Sequence, residues 1–85
     1  MNTEKILEEI RLERCYQCDK WGNDFDDQNT INDWSAYISE YLGKATAFKA
    51  SKESQRNNLL KVATLAIAAL ESFDRNGKFA DRHYD

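Results

Sequence analysis

Proline is absent from this 85-residue chain, and glycine occurs only three times, at Gly22, Gly43 and Gly77. Few residues therefore interrupt a helix. No segment alternates apolar and polar residues with β-branched enrichment, so strands are not expected. Cysteine is scarce as well, with Cys15 and Cys18 as the whole complement. That excludes a disulfide framework of the kind that holds small secreted domains together. The two cysteines and the single histidine, His83, are too few for a zinc site. The pair also lies far into a predicted helix, away from the N-terminus that would activate a redox thiol. Both read as ordinary helical side chains. The longest apolar run, over residues 62–70, is far too short to span a membrane. Glu4, Glu8 and Glu9 interrupt any apolar core near the start, so no signal peptide is expected. These features predict a cytoplasmic chain with reduced thiols. No long basic block is present, and the net charge of -3 is mild. There is no strong nucleic-acid footprint, and the acidity is too thin for a nucleic-acid mimic.

What is present is helical periodicity. A chain of this size forms one small domain with a limited core, for which oligomerisation is a usual remedy. The first helix is predicted over residues 3–20, with Thr3 as cap, Ile6, Leu7 and Ile10 on its apolar face and Gly22 as its stop. Residues 23–33, rich in Asp and Asn, read as a loop, because such side chains bond their own backbone. The run from Asp24 has some calcium-loop flavour. It lacks the glycine at the sixth place and the glutamate at the twelfth, which is Ser35, so a capped, solvated loop is expected.

The second helix is predicted over residues 32–50, capped by Thr30 or Asn32. Trp34, Tyr37, Ile38, Tyr41, Leu42, Ala45 and Phe48 form its apolar stripe. Gly43 inside it predicts the close approach of another helix. The third helix is predicted over residues 52–75, capped by Ser51 or Ser54 and ended by Asn76-Gly77. It is apolar on most sides, which fits a central helix or one facing a second subunit. Residues 1–77 form the expected helical domain. Residues 78–85 form a polar tail that Phe79 and Tyr84 are placed to anchor.

One set of residues is more specific. Glu13-Arg14-Cys15-Tyr16-Gln17-Cys18-Asp19-Lys20-Trp21-Gly22 is followed by Asp33-Trp34 and by Ser39-Glu40-Tyr41-Leu42-Gly43-Lys44-Ala45. Asn58-Leu59-Leu60-Lys61-Val62-Ala63 and Leu70-Glu71-Ser72-Phe73-Asp74-Arg75 come later. This series resembles the short, often phage-borne members of the MazG-like family of all-α nucleoside triphosphate pyrophosphohydrolases. Those proteins carry an ER–Q–KWG stretch, a Trp, an EE-x-G-E run and a later helix with E-x-x-D or E-x-x-Q. The resemblance covers residues 5–75. It fits the all-α three-helix bundle that the periodicity predicts, and because the wide apolar faces of the second and third helices exceed what the first can cover, pairing with a second copy into a four-helix-type core, as a homodimer, is expected.

The resemblance also implies a site of carboxylates on two antiparallel helices holding Mg²⁺, a hard ion that takes oxygen ligands and bridges to substrate phosphates. Here the frame is kept and most of the acids are not. Glu40 matches the first acid, but Tyr41, Lys44, Asn58 and Lys61 stand where the others belong. Like charges about 4 Å apart repel by roughly 4 kcal/mol per unit pair at an effective dielectric of about 20. Two lysines thus oppose a divalent cation. Glu40 precedes Lys44 by one helical turn, the favourable order for an ion pair, and Lys61 is its other expected partner.

The expectation is a catalytically degenerate domain with no metal and no cofactor. It would act by binding a host protein, for example as an anti-CRISPR or other anti-defence factor. Trp21, Trp34 and Tyr37 are candidate interface residues, against the plainer expectation that both tryptophans pack in the core. The alternatives are an active Mg²⁺-dependent pyrophosphohydrolase drawing on Glu53, Glu71 or Asp74, and a nucleotide-binding sensor without hydrolysis. In the sensor the lysines would meet the phosphates directly.

Overall fold

The computed structural model describes residues 2–82 and is all-helical, with α1 at Thr3–Asp27, α2 at Ile31–Ala45 and α3 at Lys52–Asn76. Helix α3 packs against both α1 and α2 and is the central element. Its apolar residues on several sides are explained by that position. The core cluster is Trp34, Ala68 and Ala69, with Tyr37, Leu65 and Phe79 packed against it. Small residues on α3 let the Trp34 indole lie against the central helix. No helix among the described residues is long and apolar enough to cross a membrane.

The caps of α2 and α3 follow from local chemistry. The Thr30 side chain accepts from the Asp33 amide at 3.0 Å, and the Asp33 carboxylate accepts from the Thr30 amide at 2.9 Å, a reciprocal capping box. Ser51 caps α3 by accepting from the Ser54 amide at 3.0 Å. Gly77 closes α3 in the left-handed conformation, φ 73°, and its amide donates to the Phe73 carbonyl at 2.7 Å.

Three boundaries differ from the expectation. Helix α1 does not stop at Lys20: helical backbone continues to Asp27 across a break at Gly22, where φ is 80° and ψ 167°. Thr3 is its first helical residue rather than its cap; Asn2 takes the cap position without a side-chain bond. Helix α2 ends at Ala45, five residues before the expected 50. The Thr46 hydroxyl donates back to the Leu42 carbonyl, the backbone turns, and Lys49 takes a positive φ of 67°. Phe48 therefore leaves the apolar stripe and stands 90% exposed.

The tail is tied to the body at Phe79, whose ring lies 5.1 Å from that of Phe73. Ala80 donates to the Asn29 carbonyl at 3.4 Å. Tyr84, the other expected anchor, and His83 lie outside the described residues.

Candidate functional site

The break at Gly22 brings the last residues of α1 back to Arg14. The Arg14 guanidinium, nearly buried, donates to Asp26 at 2.9 Å and to Glu71 of α3 at 2.7 Å. Asp27, the next residue, accepts from the Ser72 hydroxyl at 2.9 Å and from Arg75 at 2.6 Å. The acid-rich segment after Gly22 is thus a short helical turn clamped onto the end of α3, not a solvated loop. Burial pushes the Asp26 carboxyl up from its ordinary range, against the pull of Arg14. The Arg75 hydrogen bond holds Asp27 below its ordinary value, with Ser72 adding to the effect. The Arg14 guanidinium is destabilised by burial, but its bonds to Glu71 and Asp26 outweigh that and leave it firmly charged.

The clamp also places the aromatic residues. Trp21 stacks on Phe25 with ring centroids 5.1 Å apart, and Trp34 meets Tyr37 edge-on at 6.3 Å. Core packing describes Trp34, which is 2% exposed; Trp21 is 53% exposed and stands at the surface. Tyr37 is partly buried against the core. Between the Trp21–Phe25 pair and helix α2 lies a cavity of about 220 Å³, whose lining includes Asp26, Asn29, Trp34, Tyr37, Glu40 and Tyr41.

Four of the five residues aligned with metal-binding acids meet near that cavity. The Lys44 ammonium lies 4.8 Å from the Tyr41 ring centroid, and the Lys61 ammonium, from α3, lies 5.4 Å from the same ring. Lys44 also pairs with Glu40 at 3.5 Å, while Lys61 pairs with Glu13 of α1 at 3.9 Å rather than with Glu40. These exposed ion pairs are worth little individually, about 0–1 kcal/mol each. Their consequence is positional: two cations flank one aromatic ring between α2 and α3. Asn58 does not join them. Its amide donates to the Ser54 carbonyl at 2.8 Å and to the Ser54 hydroxyl at 3.2 Å, and so turns back on its own helix.

Among the described residues, no group of three or more His, Cys, Asp or Glu side chains is arranged to hold a metal ion. Of the acids named as alternatives, Glu71 is engaged by Arg14 at 2.7 Å. The charged groups around Tyr41, two ammonium groups each paired with one carboxylate, Glu40 and Glu13, do not form the oxygen cage that Mg²⁺ takes. Cys15 is exposed and Cys18 half-buried, and both are free thiols. Gly43 has open space around it, with no atom of the described residues in contact where a β-carbon would stand, so neither α1 nor α3 approaches it closely.

Arg14, Asp26 and Asn29 were not legible as site residues. Arg14 belongs to the Glu13-Arg14 pair of the resemblance, but no spacing rule links it to an acid twelve positions on. The signal that could have found it is Gly22 between Arg14 and a run of acids.

No family model, curated protein or solved structure matches this chain. The likeness to MazG-like proteins rests on the residue series set out above.

Proposed function

We propose that the chain is a catalytically degenerate MazG-like domain, paired as a homodimer and acting by binding a protein of the phage host. The observation that carries this reading is the placement of Lys44 and Lys61 on either contact of Tyr41, at 4.8 and 5.4 Å from its ring. A divalent cation at that place would face both ammonium groups and two carboxylates already paired with them, Glu40 with Lys44 and Glu13 with Lys61. At this exposed place attraction and repulsion are screened alike, and two ammonium groups already paired with the carboxylates leave no net pull on a divalent cation. With no metal, the polarisation of phosphate and the activation of water on which such hydrolysis depends are lost. The helical frame then serves as a scaffold for recognition.

The homodimer is supported by the apolar surface left uncovered. Leu7, Leu12, Leu42, Leu59 and Leu70 are exposed large hydrophobics on a chain of 85 residues. A symmetric partner covers such stripes at low cost in sequence. The exposed Trp21, stacked on Phe25, supplies the aromatic anchor that recognition surfaces favour.

The test is calorimetric titration with Mg²⁺ and Mn²⁺, alone and with a nonhydrolysable nucleoside triphosphate, beside an assay of triphosphate hydrolysis. The expected outcome is neither metal binding nor turnover. Magnesium-dependent hydrolysis by the natural chain overturns the reading. Nucleotide binding without metal or turnover replaces it with the sensor.

A further inference from the structure

Two apolar features at one end of the bundle have no counterpart within the chain. The first is Phe48, 90% exposed in the turn from α2 to α3. That turn is closed by its own bonds. The Thr46 hydroxyl donates to the Leu42 and Gly43 carbonyls at 3.1 and 3.3 Å, and the Ala50 amide donates to the Ala47 carbonyl at 3.0 Å. Lys49 takes a φ of 67°, which residues with a side chain seldom adopt. The ring is thus presented outward by an ordered turn, so little further order is lost when it is buried. The second feature is a groove of about 190 Å³ between α1 and α3, lined by Ile6, Ile10, Leu59, Leu60 and Ala63, with Arg56 as its one polar residue. Arg56 is already tied to Glu9 at 2.6 and 3.0 Å. An apolar cavity of about 150 Å³ stays dry and takes up benzene, so this groove has room for a phenyl ring.

Contacts along α3 place both features at the same end. Glu9 of α1 meets Arg56, and Tyr41 of α2 faces Lys61, whereas Trp34 packs further along at Ala68 and Ala69. Helix α1 therefore begins, and α2 ends, where α3 starts. From Lys52, just after the turn, to Leu59 is about 10 Å along the helix axis.

We infer that Phe48 of one copy seats in the α1–α3 groove of a second copy, whose own Phe48 seats in return across a two-fold axis. The inference rests on the homodimer proposed above and names its contact. Ring and groove belong to one end of one chain, so a single two-fold rotation fills both grooves and closes the assembly at two copies. A foreign partner would fill the groove and still leave Phe48 in water. Charge agrees with this occupant. Residues 46–52 carry Lys49 and Lys52 and no acid, and the Lys49 ammonium travels with the ring, 5.6 Å from its centroid. Glu4 stands two residues before Ile6 at the groove. Among the described residues no ion pair engages Lys49, Lys52 or Glu4, so these opposite charges are open to one another across the contact.

The test has two arms, both on the full chain. Sedimentation first fixes the concentration at which the natural chain is dimeric. At that concentration, isotope-filtered NOE spectroscopy on a mixture of ¹³C-labelled and unlabelled chain reads contacts between copies only. The expected result is NOEs from the Phe48 ring of one copy to the methyl groups of Ile6, Ile10 and Leu59 of the other. The second arm is Phe48→Ala. Each dimer loses two seated rings at about tenfold each, so its dissociation constant is expected to rise roughly a hundredfold. Phe48 lies outside the core cluster, so circular dichroism keeps the helical signature of the natural chain. A dimer that shows no such NOE overturns the inference, as does a Phe48→Ala dimer as tight as the natural one; either leaves the homodimer standing on another contact. A natural chain that is monomeric at every concentration overturns the inference and the homodimer together. Species larger than a dimer that grow with concentration overturn the reciprocal seating.

Discussion

Arg14 donates to Asp26 at 2.9 Å although both residues belong to the one helical element, twelve positions apart. In a straight helix, twelve residues span about 18 Å, far beyond the reach of the two side chains. The bond exists because the backbone reverses at Gly22, and it holds that reversal in place. Arg14→Leu removes the charge and leaves Asp26 buried without its partner. The expected cost is about 3–5 kcal/mol in urea unfolding, the range for breaking one side of a buried pair. Arg14→Lys keeps the charge but cannot serve Asp26 and Glu71 with a planar fork, so an intermediate loss is expected.

Gly22 and Gly43 give opposite responses to alanine. At Gly22, φ 80° and ψ 167° lie in a region that essentially only glycine adopts, although space for a β-carbon is open. The strain is therefore in the backbone alone, and Gly22→Ala is expected to destabilise by about 1–3 kcal/mol. Gly43 is within helix α2 and also has open space. Gly43→Ala is expected to stabilise the single chain by about 0.5–1 kcal/mol, through helix propensity. Thermal unfolding of both variants at low protein concentration checks the pair of signs.

These two glycines also mark where the sequence was informative and where it was not. Thr30 with Asp33, Ser51 with Ser54, and Gly77 act within one turn of chain, so the start of α2 and both ends of α3 were readable from neighbours alone. The Glu40–Lys44 pair was readable too, because the two residues stand one turn apart on one helix, whereas the partner of Lys61 is Glu13 of α1 and not Glu40. The turn after Gly22 was not. Its Asp and Asn content favours a loop locally, and what makes it helical is tertiary, namely Ser72 and Arg75 on Asp27 and Arg14 on Asp26. The end of α2 was hidden for the converse reason. Phe48 fits the apolar period, but no surface of this chain is there to receive it, and Thr46 turns the backbone first.

Asp27 gives the fold a dependence on acid. Its folded pKa lies below the ordinary 3.8, chiefly through the hydrogen bond from Arg75. A carboxyl with a lowered folded pKa binds protons more readily when unfolded. Its contribution is therefore present above pH 3.8 and is lost as pH falls from there through the folded value. Asp26 works in the other direction, because burial raises its folded pKa and its ionisation costs stability as pH rises. Asp27→Asn is expected to flatten the fall in stability below pH 3.8 without removing the Asp26 component. Urea midpoints measured from pH 6 down to about pH 3 read the difference in slope.

Restoring the metal site should require several changes at once. Lys44→Glu alone places a second carboxylate beside Glu40 but leaves the Lys61 ammonium 5.4 Å from the Tyr41 ring. Lys61→Asp alone leaves Lys44 paired with Glu40. Each single variant is expected to bind no Mg²⁺ in calorimetry. The combination Tyr41→Glu, Lys44→Glu and Lys61→Asp removes both ammonium groups and supplies three new carboxylates near Glu40, and measurable Mg²⁺ binding is the expected result. Binding by Lys44→Glu alone would show that Lys61 does not guard the site.

Leu59 and Leu70 locate the proposed dimer contact. They are 53% and 61% exposed, and both lie on α3. Eleven residues at about 100° each bring them to within about 20° of the same direction around the helix axis. Leu59 also borders a groove with Ile6, Ile10, Leu60 and Ala63, so the exposed stripe continues onto α1. A second copy laid along this stripe would bury both leucines, and charge introduced at either would then face the same residue across the two-fold axis or its apolar neighbours. Leu59→Lys with Leu70→Lys is expected to shift sedimentation from dimer to monomer while circular dichroism keeps its helical signature. Loss of helix together with loss of the dimer would mean that the chain folds only on pairing, a common outcome for small obligate dimers. A natural chain that sediments as a monomer at all concentrations would remove the dimer from the proposal and leave this stripe for another partner.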